Sequence, residues 1–256
     1  MDKEISKLIK IIKRAGKMML TGTDSNKEIS YKEGIENIVT NYDISIQNYL
    51  CKSLLKLYAD ANFIGEENYK NESIKKKGYT FIVDPIDGTN NFARDIKLSA
   101  ISICLLKDGK QYIGVCYLPY NNELYYAKKG KGAYLNNKLI HVSDKKIENG
   151  ILLAGNAPYY KNLRDKSIET FCKLSKITSD YRRLGSAVIE LCYIASGKAE
   201  VYFEYKLRPW DYAAASLIVT EAGGVITDME GNNLIIGNDT SVLASNGTTD
   251  IIKIIK

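Results

Sequence analysis

Residues 81–92 read Phe-Ile-Val-Asp-Pro-Ile-Asp-Gly-Thr-Asn-Asn-Phe. A short apolar run ending in turn residues is a buried strand, and this one delivers two carboxylates, Asp84 and Asp87, immediately before Gly88. Like charges crowded where a strand leaves the core repel each other unless a cation or a shared proton relieves them. Pro85 and Gly88 suit a plain turn, but a turn does not call for an acid on each side of Ile86. Whatever the chain folds into must bring something positive to this strand end.

Two other acidic elements share its setting. Glu66-Glu67 follows Ile64-Gly65, and Asp211 follows Pro209-Trp210, so each stands at an element boundary behind an apolar anchor. Read singly, Glu66-Glu67 is an exposed loop and Asp211 a helix N-cap. Read together with Asp84, Asp87 and the carbonyl of Ile86, they are an all-oxygen donor set of the kind hard cations such as Mg²⁺ take. The single histidine, His141, lies outside these motifs, which argues against a His-based zinc site. No GxxxxGK[ST] or GxSxG occurs, so neither a P-loop nor a nucleophile elbow is present. Multi-Mg²⁺ oxygen sites suit in-line attack of water on a phosphate ester.

At 256 residues, 45 % apolar and 26 % charged, the chain can bury a full core as one large domain or two modest ones. The net charge of +6 reads as Lys scattered along the chain, a mild field that draws anionic substrates and shows no nucleic-acid stripe. The Lys75-Lys76-Lys77 run reads as a solvated loop. Five cysteines (51, 104, 116, 172 and 192) without metal-like spacing read as mostly buried free thiols, suited to a reducing cytosol. The N-terminal Lys-Ile-Leu pattern is an amphipathic helix, no run reaches the roughly 18–20 apolar residues of a membrane span, and a cytoplasmic protein is expected.

Periodicity predicts helices over about 3–19 and 43–58 joined by a polar loop. An antiparallel meander of four strands is expected between 79 and about 143. From about 150 strands and helices alternate: strands at 151–155, 180–185, 199–205, 225–228 and 241–245, helices at 162–175, 186–197 and 210–224, and a final helix capped by Thr248 or Thr249. The change of pattern suggests two subdomains, 1–145 and 146–256, with a cleft between them.

Ile-Gly-Glu-Glu, Asp-Pro-Ile-Asp-Gly-Thr-Asn-Asn-Phe and Pro-Trp-Asp-Tyr-Ala-Ala-Ala followed by Thr-Glu-Ala-Gly-Gly, in that order, resemble the inositol monophosphatase family of Mg²⁺-dependent, lithium-sensitive phosphatases. The resemblance runs from about Lys32 to Gly224 and implies a layered αβαβα sandwich of the sugar-phosphatase type. It makes Glu66, Asp84 and the Ile86 carbonyl ligands of a first metal. Asp84, Asp87 and Asp211 would hold a second, and Glu66 with waters a weak third. Two to three Mg²⁺ are implied per site, with Mn²⁺ as a substitute and Li⁺ as an inhibitor.

In the same pattern Thr89, bonded to Asp43, orients and deprotonates the attacking water near Glu66, and Lys32 lies near this site. Gly88 and Thr89 offer backbone N–H groups to the phosphate. Glu204, Asp211 and the Gly185-Ser186-Ala187 turn match positions that contact substrate hydroxyls. The segment after Phe92, Ala-Arg-Asp-Ile-Lys-Leu-Ser-Ala, departs from the family pattern beside the substrate pocket. The implied activity is hydrolysis of inositol-1-phosphate or a related sugar or polyol phosphate by a homodimer. Fructose-1,6-bisphosphatase activity is the near alternative. A 3′(2′),5′-bisphosphate nucleotidase and a non-enzymatic partner protein binding RNA or a polymerase are the remoter ones.

Overall fold

The computed structural model describes residues 2–22, 27–31, 38–67, 73–157 and 160–256. It opens with α1 (Lys3–Thr21), capped by the Asp2 carboxylate on the Glu4 N–H, and a short ladder of β1 (Ile29–Tyr31) with β2 (Ile38–Thr40). Helix α2 (Asn41–Leu57) begins two residues earlier than its apolar period suggests, because Thr40 caps it and Asp43 returns a bond to the Thr40 N–H.

Strands β3 (Asn62–Gly65), β4 (Tyr79–Asp87), β5 (Ala100–Lys107), β6 (Lys110–Leu118), β7 (Glu123–Lys128), β8 (Ala133–Leu135) and β9 (Lys138–Ile140) form a seven-stranded sheet in that order, with α3 (Thr89–Ala93) between β4 and β5. Only the β3–β4 pair is parallel; the rest is the expected meander, extended by β3 and the β8–β9 hairpin.

The second half supplies β10 (Ile151–Ala154), α4 (Lys161–Ser175), β11 (Asp180–Arg182), α5 (Ala187–Ala195), β12 (Val201–Leu207), α6 (Pro209–Glu221), β13 (Val225–Thr227), β14 (Thr240–Ser245) and α7 (Ile251–Ile255). Its five strands order as β11-β10-β12-β14-β13, with β10 parallel to both neighbours. Two sequence expectations are corrected here. The strand expected at 180–185 stops at Arg182, because Leu184 and Gly185 turn the chain into α5. The last helix is capped by Asp250, whose carboxylate takes the Lys253 N–H, and not by Thr248 or Thr249.

These elements stack as five layers. Helices α1 and α2 cover one face of the large sheet around Leu8, Ile12, Leu50, Phe81 and Ile103. Helices α5 and α6 fill the space between the two sheets, and α4 with α7 closes the far face of the small one around Leu174, Phe203 and Ile251. This is the αβαβα sandwich expected. The central layer draws Ile82, Cys104 and Tyr125 from one half and Leu153, Tyr202 and Val242 from the other into one core, so the halves on either side of residue 145 are fused by packing.

Close approach of α6 to the large sheet depends on Gly114 of β6. A Cβ there would lie 2.5 Å from the Ala214 carbonyl oxygen. Gln111 Nε2 ties the same helix down by donating to the Ala213 carbonyl (2.6 Å) and Ser216 Oγ (2.8 Å).

Candidate metal centre

In a regular strand, residues three apart point to opposite faces. Asp84 pairs with Ser102 and Asp87 with Ala100, so β4 advances three residues while β5 passes two. That bulge turns Asp87 onto the side already occupied by Asp84. The strand therefore does not end at Asp84; it runs to Asp87 with the extra residue built in.

The third carboxylate arrives with α6. Pro209 occupies the first turn, and Asp211, expected as the N-cap, is instead the third helical residue; its Oδ2 accepts the Arg208 N–H at 2.7 Å. Asp84, Asp87 and Asp211 each bring a carboxylate oxygen within 4.8 Å of the others'. Asp84 and Asp87 are buried. Asp87 Oδ2 accepts the Ser186 hydroxyl and the Val188 N–H (2.9 Å), both from the start of α5. Two helix N-termini thus aim their partial positive charge at the cluster, though two half-charges do not balance three carboxylates.

Burial pushes all three carboxyls above the ordinary range, Asp87 to about 7, and the neighbouring negative charges push further. The Glu66 charge is among those raising Asp43, Asp84, Asp87 and Asp211, which puts it in the same electrostatic basin. Glu66 follows β3 directly. Its turn is held by Gln47 of α2, whose Oε1 accepts the Glu67 N–H at 2.9 Å. Gly65 leaves room for that contact, since a Cβ there would meet Gln47 Oε1 at 2.4 Å. Gln47 is a site residue with no signal in the sequence: it sits on an ordinary helical face, 20 residues from its partner.

Beside the cluster, Thr89 Oγ1 lies 3.1 Å from Asp43 Oδ1 and 3.0 Å from the Ile86 carbonyl oxygen, and it can donate to either. Asp43 is fully buried, which raises its pKa to about 6, against the bonds from Thr40 that favour its charge. Gly88 precedes Thr89 with φ 85°, and a Cβ would also press on the Leu98 carbonyl at 2.9 Å, so this turn needs glycine. Asn91 Nδ2 bridges the Leu98 and Leu184 carbonyls (2.8 and 2.7 Å), bringing the Gly185 turn beside Gly88.

The departing segment after Phe92 leaves α3 through an exposed turn at 94–97, with Asp95 and Lys97 at positive φ, and returns to the core at Ser99 and Ala100. Lys27, unnoticed in the sequence, anchors it through the Phe92 carbonyl (2.7 Å) and Asp95 (2.6 Å). Lys32 lies outside the described residues.

Of the expected substrate contacts, Ala187 is the first residue of α5, and the Ser186 hydroxyl is engaged with Asp87 while capping that helix. Glu204 is buried under the chain at 155–157. It accepts the Ala157 N–H at 2.6 Å, and burial lifts its pKa to about 7. Nearby Glu190, likewise buried and raised to about 8, holds the Leu184 N–H at 2.7 Å and so shapes the Gly185 turn.

Fold and site together define a layered α/β protein with an all-oxygen donor set, Asp84 and Asp87 buried and Asp211 half-buried, at the meeting of β4, α5 and α6. Residues 1–255 match the inositol monophosphatase family, and the chain belongs to it. It is 34 % identical over 227 residues to the Nus factor SuhB of Haemophilus influenzae, covering 88 % of this chain and 85 % of that one. The extragenic suppressor protein suhB of Bartonella henselae superposes with a TM-score of 0.91 at 29 % identity, covering 100 % and 99 % of the two chains. Inositol monophosphatase II of Staphylococcus aureus does so at 0.82 and 29 %, covering 95 % and 91 %.

Proposed function

We propose that this chain is a Mg²⁺-dependent phosphomonoesterase acting on inositol-1-phosphate or a related sugar or polyol phosphate. The observation that carries the proposal is the trio Asp84, Asp87 and Asp211 held around one point beside the Thr89–Asp43 pair. The donor set fits the metal: every atom is a hard oxygen, and the cluster's unbalanced charge is what a divalent ion would neutralise. Asp84, Asp87 and Asp211, with Glu66 and the Ile86 carbonyl, would hold the ions. Bound Mg²⁺ would neutralise phosphoryl charge and lower the pKa of a water.

The protein's own groups do the rest. Thr89 Oγ1 orients the attacking water and takes its proton, while the Thr89 proton passes to Asp43, whose raised pKa suits it to receive one near neutral pH. Gly88 and Thr89 present the start of α3 to the phosphate. Glu204 and the Gly185 turn border the alcohol side. In this reading Mn²⁺ substitution, Li⁺ inhibition and a homodimer follow from the family.

Support for the substrate class comes from a staphylococcal neighbour solved with inositol monophosphate bound. Fructose-1,6-bisphosphate is the alternative ester. The relatives' name, Nus factor SuhB, favours a second reading as a regulatory partner protein. Against it as a sole role stands the retained carboxylate cluster, which costs stability without an ion. Phosphate release from the two esters, with and without Mg²⁺, tests the proposal: Mg²⁺-dependent turnover is expected, and the ratio of kcat/KM picks the substrate. A folded protein that binds Mg²⁺ and releases phosphate from neither ester would sink the enzymatic reading.

A further inference from the structure

The charge of +6 is not spread over the molecule. Helices α1 and α2 hold eight Lys and Arg against Glu4 and Asp43, which leaves 28 basic and 28 acidic residues in the rest of the chain. Lys is scattered along the chain, as the sequence reads, but outside these two helices acids match it in number, so the net excess sits on one helical layer. Its two acids face inward. Glu4 accepts the Tyr58 and Tyr112 hydroxyls and Lys128, and Asp43 is fully buried.

On α1 the cations Lys3, Lys7, Lys10, Arg14 and Lys17 follow one another by three or four residues, so they form one row within about 80° of the helix circumference and about 21 Å long. All five are exposed, and among the described residues none is in an ion pair. Arg14 lies 5.5 Å over the ring of Tyr49 on α2. Helix α2 packs beside α1 and exposes Lys52 and Lys56.

At the N-terminal end of the row, Asp2 and Ile5 border a depression of about 520 Å³. Its other walls include Lys131, Tyr134 and Tyr126, the two rings stacked 5.2 Å apart and nearly parallel. A single-sign row beside an aromatic recess is the combination that holds a phosphodiester chain and stacks one of its bases. A membrane surface would want an apolar flank, and a protein partner an apolar centre. The only large apolar side chains exposed on these helices are Ile44 and Leu57, near opposite ends of α2.

We infer that the outer face of α1 and α2 binds single-stranded nucleic acid, with phosphates along the α1 row and a base against Tyr134. The inference is independent of the carboxylate site, none of whose ligands lies on this face.

Fluorescence anisotropy of a labelled mixed-sequence single strand, titrated with the full-length protein at several salt concentrations, tests it. Five phosphate contacts give a slope of log K on log salt of about −3.5, and K7E/K10E/R14E should bring it to about −1.4 with at least tenfold weaker binding. Tyr134→Ala should weaken binding several-fold and leave the slope unchanged. Circular dichroism and Mg²⁺-induced stabilisation should match wild type in both variants. Undetectable binding at low salt, or binding indifferent to the triple substitution, overturns the inference. So does tighter binding to a duplex, to polyglutamate or to phosphatidylserine vesicles than to the single strand.

Discussion

At the scale of single residues, the site is a set of groups that the metal-free fold holds at a cost. Asp43, Asp87, Glu204 and Glu190 have pKa values raised to between about 6 and about 8. A carboxyl raised in the folded state stabilises that state most below its unfolded pKa near 4, and the benefit disappears as pH climbs through the folded value. The metal-free protein should therefore melt at a lower temperature at pH 8 than at pH 6. Mg²⁺ should close much of that gap, because it binds the ionised form. At about a hundred times its dissociation constant the ion adds about 2.7 kcal/mol. Melting curves in EDTA and in Mg²⁺ at the two pH values check this; an equal Mg²⁺ effect at both would contradict it. Asp84 and Asp87 were legible in the sequence because acids flanking Ile86 have no use in a plain turn; Asp43 and Glu204 came only with the family resemblance, and Glu190 carried no signal. Gln47 and Lys27 were not legible either, since their partners lie 20 and 65 residues away and no local pattern marks them.

At the scale of elements, the geometry depends on how strands and helices are seated. The bulge between Asp84 and Asp87 cannot be read from spacing, because it exists only in the pairing of β4 with β5. Asp211 as an N-cap was a sound local inference, displaced by one turn because Pro209 starts α6 first. The strands missed in the sequence, β1, β2, β3, β8 and β9, have three or four residues each, too few to show a period. The seat of α6 gives a sharp prediction. Gly114→Ala would drive a methyl into the helix backbone at Ala214 and cost about 3 kcal/mol. Since α6 carries Asp211, the variant should also need several-fold more Mg²⁺ for half-maximal activity. Denaturant unfolding and a Mg²⁺ titration measure the two effects, and an unchanged Mg²⁺ requirement would separate the seat of α6 from the site.

At the scale of the whole molecule, the five-layer order was available from the alternation of patterns together with the family motifs, but the fusion of the halves was not. Side chains from both sides of residue 145 share the central core, so the chain should unfold in a single cooperative transition. Calorimetry resolving two transitions would contradict that. Thiols report the same packing. Cys104, Cys116 and Cys192 are buried in the central layer, Cys51 is half-buried and Cys172 exposed. A thiol reagent should label Cys172 at once and Cys51 slowly, with the other three reacting only on denaturation.

The central claim is that Asp84, Asp87 and Asp211 form a metal centre that drives phosphate-ester hydrolysis. Its most direct test is phosphate release across a Mg²⁺ titration, wild type beside Asp87→Asn. The expected result is turnover that rises from nothing with Mg²⁺ in the wild type and falls at least a hundredfold in a folded Asp87→Asn protein. That protein should also no longer gain melting temperature from the ion. Full activity in Asp87→Asn, or wild-type turnover that persists in EDTA, would contradict it.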